Sequence, residues 1–67
     1  MSIRFERDGN RQIAWSEQNT TLGNYWHEGH TRLWVAKVGG VAGQWETFKS
    51  EAEARQWLVE QIEATAK

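Results

Sequence analysis

In two stretches near the start of the chain, apolar and polar residues alternate with a period of two; the last seventeen positions switch to helical spacing. Ile3 and Phe5 alternate with Arg4 and Glu6, and Ile13 and Trp15 with Gln12 and Ala14. This is the pattern of half-buried strands, and Asp8-Gly9-Asn10 is the turn between them. Parity separates two registers. A two-residue Asp8-Gly9 loop sets Phe5 opposite Gln12. A three-residue loop over 8–10 sets Phe5 opposite Ile13 and Ile3 opposite Trp15. The second gathers all four apolar groups on one face, which a one-residue slip would undo. The expectation is therefore the three-residue loop, with Asn10 left-handed.

Residues 16–24 are polar and rich in turn formers, the composition of a loop. Tyr25 and Trp26 interrupt it with a short strand at about 24–27, and Glu28-Gly29 marks a tight turn. Residues 31–38 form the strongest strand, with Leu33 and Val35 on one face and Trp34, Ala36 and Val38 on the other. A strand apolar on both faces is central or covered twice. Residues 39–43, Gly-Gly-Val-Ala-Gly, are a flexible connection, and 44–48 form the next strand, antiparallel because that connection is short. Ser50 followed by Glu53 is a capping box, and Glu51 and Glu53 suit the positive helix start. Ala54, Trp57, Leu58, Gln61 and Ile62 make one stripe at helical spacing, which predicts a helix over about 51–65. The fold class expected is α+β: an antiparallel β-meander of three to four strands packed against one C-terminal α-helix, as a single domain over 1–67.

Length makes such a small core marginal, because a domain of about 60 residues buries only about 60% of its unfolded surface. With no Cys, disulfides and thiolate metal sites are excluded, which fits a cytoplasmic setting. Five Trp supply apolar area instead. The net charge of −1 gives no general attraction to nucleic acid or anionic membrane. Residues 1–50 carry +1 and residues 51–67 carry −2. No signal peptide is visible, and no run reaches the ~20 apolar residues of a membrane span, so no membrane role is expected.

The candidate chemistry is sparse. His27-Glu28-Gly29-His30 offers three ligand types in a turn, with no further His or Cys to complete a zinc shell. Solvent-exposed turn residues are the expectation, with His27 and His30 able to make a nearby contact pH-sensitive. No Ser or Thr sits in a nucleophile elbow, and the glycines at 39, 40 and 43 lack the Lys-Ser/Thr ending and following helix of a phosphate loop. No enzyme activity, cofactor or metal is expected.

The tryptophans carry the functional reading. Trp15 and Trp57 fall on faces already assigned to the core. If Leu33 and Val35 face the helix, Trp34 faces away from it, and Trp45 shares a face with Thr47 and not with Phe48. Trp34 and Trp45 then form an aromatic platform flanked by Arg32 and Lys37, or else a second layer of core closed by the Tyr25-Trp26 segment. Aromatic and Arg residues are the usual anchors of interfaces, and aromatic platforms also stack bases. The candidate binding set is Arg32, Trp34, Lys37 and Trp45, with Tyr25, Trp26, His27 and His30.

Residues 34–58 run Trp-Val-Ala-Lys-Val, a Gly-containing turn, Trp-Glu-Thr-Phe-Lys-Ser, then Glu-Ala-Glu-Ala-Arg-Gln-Trp-Leu. This resembles the arm-type, AP2-like N-terminal DNA-binding domain of phage and transposon integrases. The resemblance implies a three-stranded sheet on one helix whose sheet face enters the major groove, with Arg32, Trp34, Lys37, Trp45 and Thr47 as contacts. That family is basic, whereas this chain carries a net charge of −1. In size and plan alone the chain is also similar to small phage inhibitor proteins, including some anti-CRISPR proteins. Two functions follow as expectations: docking on a larger protein partner or complex, or binding nucleic acid through the same face.

Overall fold

The computed structural model describes residues 2–39 and 43–65. Five strands, β1 (Arg4–Asp8), β2 (Arg11–Trp15), β3 (Thr21–Glu28), β4 (Leu33–Val38) and β5 (Trp45–Phe48), precede one helix, α1 (Glu51–Thr65). The strands form one antiparallel sheet in chain order, and the helix packs across β3, β4 and β5. The α+β class is as expected, and the helix matches the capping and stripe signals. The sheet has five strands because Thr21–Glu28, expected as a loop with a short insertion, is its longest strand and its centre.

The first hairpin departs from the three-residue loop. Asp8 pairs with Arg11, leaving a two-residue Gly9-Asn10 loop, and Phe5 pairs with Ala14. Gly9 has φ 65° and Asn10 is not left-handed. Gly at the first loop position suits a type II′ hairpin, whose twist matches the flanking strands. Turn geometry thus outweighs the gathering of four apolar groups, and Ile13 and Trp15 go to the face opposite Phe5.

Small residues let the helix sit close. Ala14 pairs with Gly23, and Gly23 with Val38, in one row, while Tyr25 pairs with Ala36 in the next. Ala14, Tyr25 and Ala36 are buried together with Ala54, Leu58 and Ile62 of α1. Ile3, Phe5, Leu22, Trp34, Val38, Phe48 and Trp57 pack around that cluster. The register shifts between Ala14 and Trp15, which skips Leu22 in the pairing and leaves its side chain to the core. Ser50 Oγ accepts from the Glu53 backbone N–H at 3.2 Å, closing the helix start as an N-cap does. The loop into β3 is tied by Ser16, whose Oγ accepts from the backbone N–H groups of Gln18 and Thr20. The expected flexible connection at 39–43 lies partly outside the described residues, at 40–42.

Tyr25 links sheet to helix. It is 1% exposed, its ring meets Phe5 at 5.8 Å and Trp34 at 6.0 Å, and its hydroxyl donates to Glu51 Oε2 at 3.0 Å. Burial first, then the Glu51 carboxylate, pushes the phenol above its ordinary 10.0. The folded state therefore holds this proton more tightly than the unfolded chain does. The associated stability is complete below about pH 10 and is lost as pH rises through the folded value. Urea midpoints measured from about pH 8 upward should fall beyond pH 10, and Tyr25→Phe should flatten that fall while lowering the midpoint at neutral pH. An equal slope in both proteins would contradict the assignment.

Candidate functional site

The two faces of the sheet differ in what covers them. Register assigns Phe5, Gln12, Ala14, Gly23, Tyr25, Trp34, Ala36, Val38 and Phe48 to the helix side. The outer side carries two cross-strand rows: Glu6–Ile13–Asn24–Lys37–Trp45 and Asp8–Arg11–Trp26–Val35–Thr47. Trp15 extends it beside Arg4 and Thr21, and Leu33 beside Glu28. Among the described residues no element packs on this side, since the helix is the only element outside the sheet.

The outer face is accordingly an apolar surface left open. Trp45 is 64% exposed, the one large hydrophobic side chain among the described residues that is mostly open to solvent. Trp15, Trp26, Ile13, Leu33 and Val35 are half-buried. The Arg11 guanidinium lies 4.9 Å from the Trp26 ring centroid, a cation–π contact that holds both groups in place. At one rim Arg4 pairs with Glu6 at 3.4 Å and donates to Asn19 Oδ1 at 3.0 Å. Two polar atoms on this side, Trp15 Nε1 and Asn24 Oδ1, are shut away from water without a hydrogen-bond partner.

Three of the eight candidate residues, Trp26, Lys37 and Trp45, lie on this outer face. Trp34 does not: it pairs with Phe48 and His27 on the helix side, its ring 5.0 Å from that of His27. The expected Trp34–Trp45 platform therefore does not form. Ala36 is the residue small enough to lie under the helix, and Trp34 shares its parity, so Leu33 and Val35 point outward. Tyr25 is also removed from the candidate surface, because neighbours on a strand face opposite ways and Trp26 takes the outer side. The reading of Tyr25-Trp26 as a loop closing a second core layer fails with it. Trp57 packs at the core margin, 5.7 Å from Phe48. Trp15, expected in the core, is on the outer face because of the Gly9-Asn10 loop.

His30 and Arg32 are exposed in the turn between β3 and β4, where Arg32 has φ 61° and its backbone N–H closes on Glu28 O at 2.8 Å. Among the described residues no three of His, Cys, Asp and Glu gather as metal ligands would. None of the helices there is long and apolar enough to cross a membrane.

No family model, curated protein or solved structure matches the chain.

The residues that sequence parity missed are Ile13, Trp15, Leu33, Val35 and Arg11. Gly-Asn as a two-residue hairpin loop was the available signal for the first two, and the small side chain of Ala36 was the signal for Leu33 and Val35.

Proposed function

We propose that this chain is a non-enzymatic binding module that docks on a larger protein through the outer face of its sheet. The observation that carries this reading is the gathering of Trp15, Trp26 and Trp45 with Ile13, Leu33 and Val35 on a side that no element covers among the described residues. A contiguous apolar patch rimmed by charge marks a contact site, and aromatic anchors with Arg supply most of the binding energy of interfaces. Charge favours protein over nucleic acid. Arg4, Arg11 and Lys37 share the face with Glu6, Asp8 and Glu28, so phosphates would meet as many anions as cations, whereas their affinity depends on neutralising cations. The aromatic sheet face is the one feature that also suits base stacking.

The test is selective retention. The immobilised chain is expected to hold a protein that survives nuclease treatment. Trp26→Ala and Trp45→Ala should each release it, and Glu60→Gln on the helix surface should not. Retention abolished by nuclease, together with salt-sensitive Trp quenching by mixed-sequence oligonucleotides, would replace this reading with a nucleic-acid one. Retention indifferent to both Trp variants would remove the face from function.

A further inference from the structure

We infer that the free edge of β5 accepts an extended basic segment of a partner protein as an added strand, its residues alternating between cationic and apolar. This contact is separate from the outer face and does not depend on it.

β5 ends the sheet, so one side of its backbone has no strand beside it. The Val38 backbone N–H donates to Gln44 O at 2.8 Å, one step beyond the Lys37–Trp45 pair. Hydrogen-bonded and non-bonded pairs alternate along an antiparallel ladder. Glu46 and Phe48 therefore bond to β4, while Trp45 and Thr47 turn their N–H and C=O groups to the open edge. The Thr47 N–H agrees with this, since it donates to Glu46 Oε1 at 3.3 Å and not to β4. A neighbouring carboxylate stands in for the carbonyl that a further strand would supply.

The opposite edge is guarded. Every residue of β1 except Phe5 is charged, and charges along an edge discourage strand addition. β5 reads Trp-Glu-Thr-Phe, one charge among three residues that favour strands.

The side chains flanking β5 select the occupant. Glu46 pairs with Ala36 and so lies on the helix side, as does Phe48. There Trp57 of α1 comes within 5.7 Å of Phe48, and Glu53 precedes Trp57 by one turn on the same flank of the helix. Glu46 and Glu53 are exposed, and among the described residues neither is in an ion pair. On the outer side stands the exposed Trp45, with Lys37 across the ladder from it. A strand laid along β5 presents alternate side chains to these two sides. Lys or Arg suits the carboxylates on the helix side. An apolar residue suits the indole on the outer side, where Lys37 disfavours a second cation. Main-chain bonds give an added strand its affinity and alternate side chains its selectivity. So short an edge offers few main-chain bonds, so binding needs both.

Amide hydrogen exchange followed by NMR tests this, with a short alternating Lys-Val peptide as the probe. The peptide should slow exchange at the Trp45 and Thr47 N–H groups. A peptide of the same composition with its Lys and Val in separate blocks should not, nor should an alternating Glu-Val peptide. Thr47→Pro removes an outward N–H without breaking the β4 ladder, and should weaken the alternating peptide about tenfold. Glu53→Lys should weaken it as well, with circular dichroism showing that each variant is folded. Backbone N-methylation of the peptide should abolish its binding to the unaltered chain. No slowing at Trp45 and Thr47, equal slowing by the block peptide, or binding that survives N-methylation would overturn the inference. Trp26→Ala should release the retained protein and leave peptide binding unchanged. Peptide binding lost in that variant would place the peptide on the outer face and overturn the inference too. Retention indifferent to Trp26→Ala, with the peptide still slowing both amides, would remove the outer-face reading and uphold the edge.

Discussion

Gly23→Ala is expected to destabilise the fold by about 3 kcal/mol, because a Cβ at this position has nowhere to go. It would meet the backbone oxygen of Lys37 at 2.6 Å and Leu58 Cδ1 at 2.8 Å. The Leu58 methyl could turn aside, but the Lys37 carbonyl belongs to the central β4 ladder and cannot. Gly23 lies between Ala14 and Val38 directly under the helix, so relief requires lifting α1 off Ala14 and Ala36 or opening the β3–β4 pairing. A chain of 67 residues has about 3–10 kcal/mol of total stability, and this substitution takes a large share of it. Urea unfolding measures the effect directly. A loss under about 0.5 kcal/mol would mean that the helix does not approach the sheet this closely.

Trp34→Ala is expected to cost about 3 kcal/mol, and Trp45→Ala about 0.5 kcal/mol or less. The two indoles are the same size and sit on adjacent strands, so the difference isolates position. Trp34 is wedged between Tyr25 and His27 on the helix side, and truncating a packed aromatic costs about 3–5 kcal/mol, the low end applying where the ring is only half-buried. Trp45 stands out from the edge strand into water, and exposed side chains contribute little to folding. Paired unfolding curves decide it. A reversed order would put Trp34 on the open side and undo the face assignment.

The helix was legible because its signals agree: the Ser50 cap, the acidic first turn, and the spacing of Ala54, Leu58 and Ile62. So was the antiparallel meander, since turn residues separate runs with a period of two. The site was harder to read, and for one physical reason. In a strand that is apolar on both sides, composition does not say which side meets the helix. In β4 that choice rested on Ala36, whose small side chain admits the helix where Trp34 flanks it and Leu33 and Val35 are turned out. In β2 it rested on a single loop residue, because moving from a three-residue to a two-residue turn carries Ile13 and Trp15 to the other face. Trp45 was placed outward because it alternates with Phe48, whose ring belongs under the helix. The central strand was hidden by its composition: Thr21, Gly23 and Asn24 are turn-forming residues, yet Gly23 and Asn24 sit mid-strand, one to admit Leu58 and the other on the open face.

On the proposed function, this protein makes contact through the side of the sheet opposite the helix. Fluorine spectra of 5-fluorotryptophan-labelled protein with a soluble paramagnetic agent test it most directly, each line being assigned by a Trp→Phe variant. In dilute protein the Trp45 line should broaden first. On addition of the retained protein, Trp15, Trp26 and Trp45 should shift and lose their broadening while Trp34 and Trp57 stay as they were. Movement of the Trp34 and Trp57 lines with the other three unchanged would contradict the account.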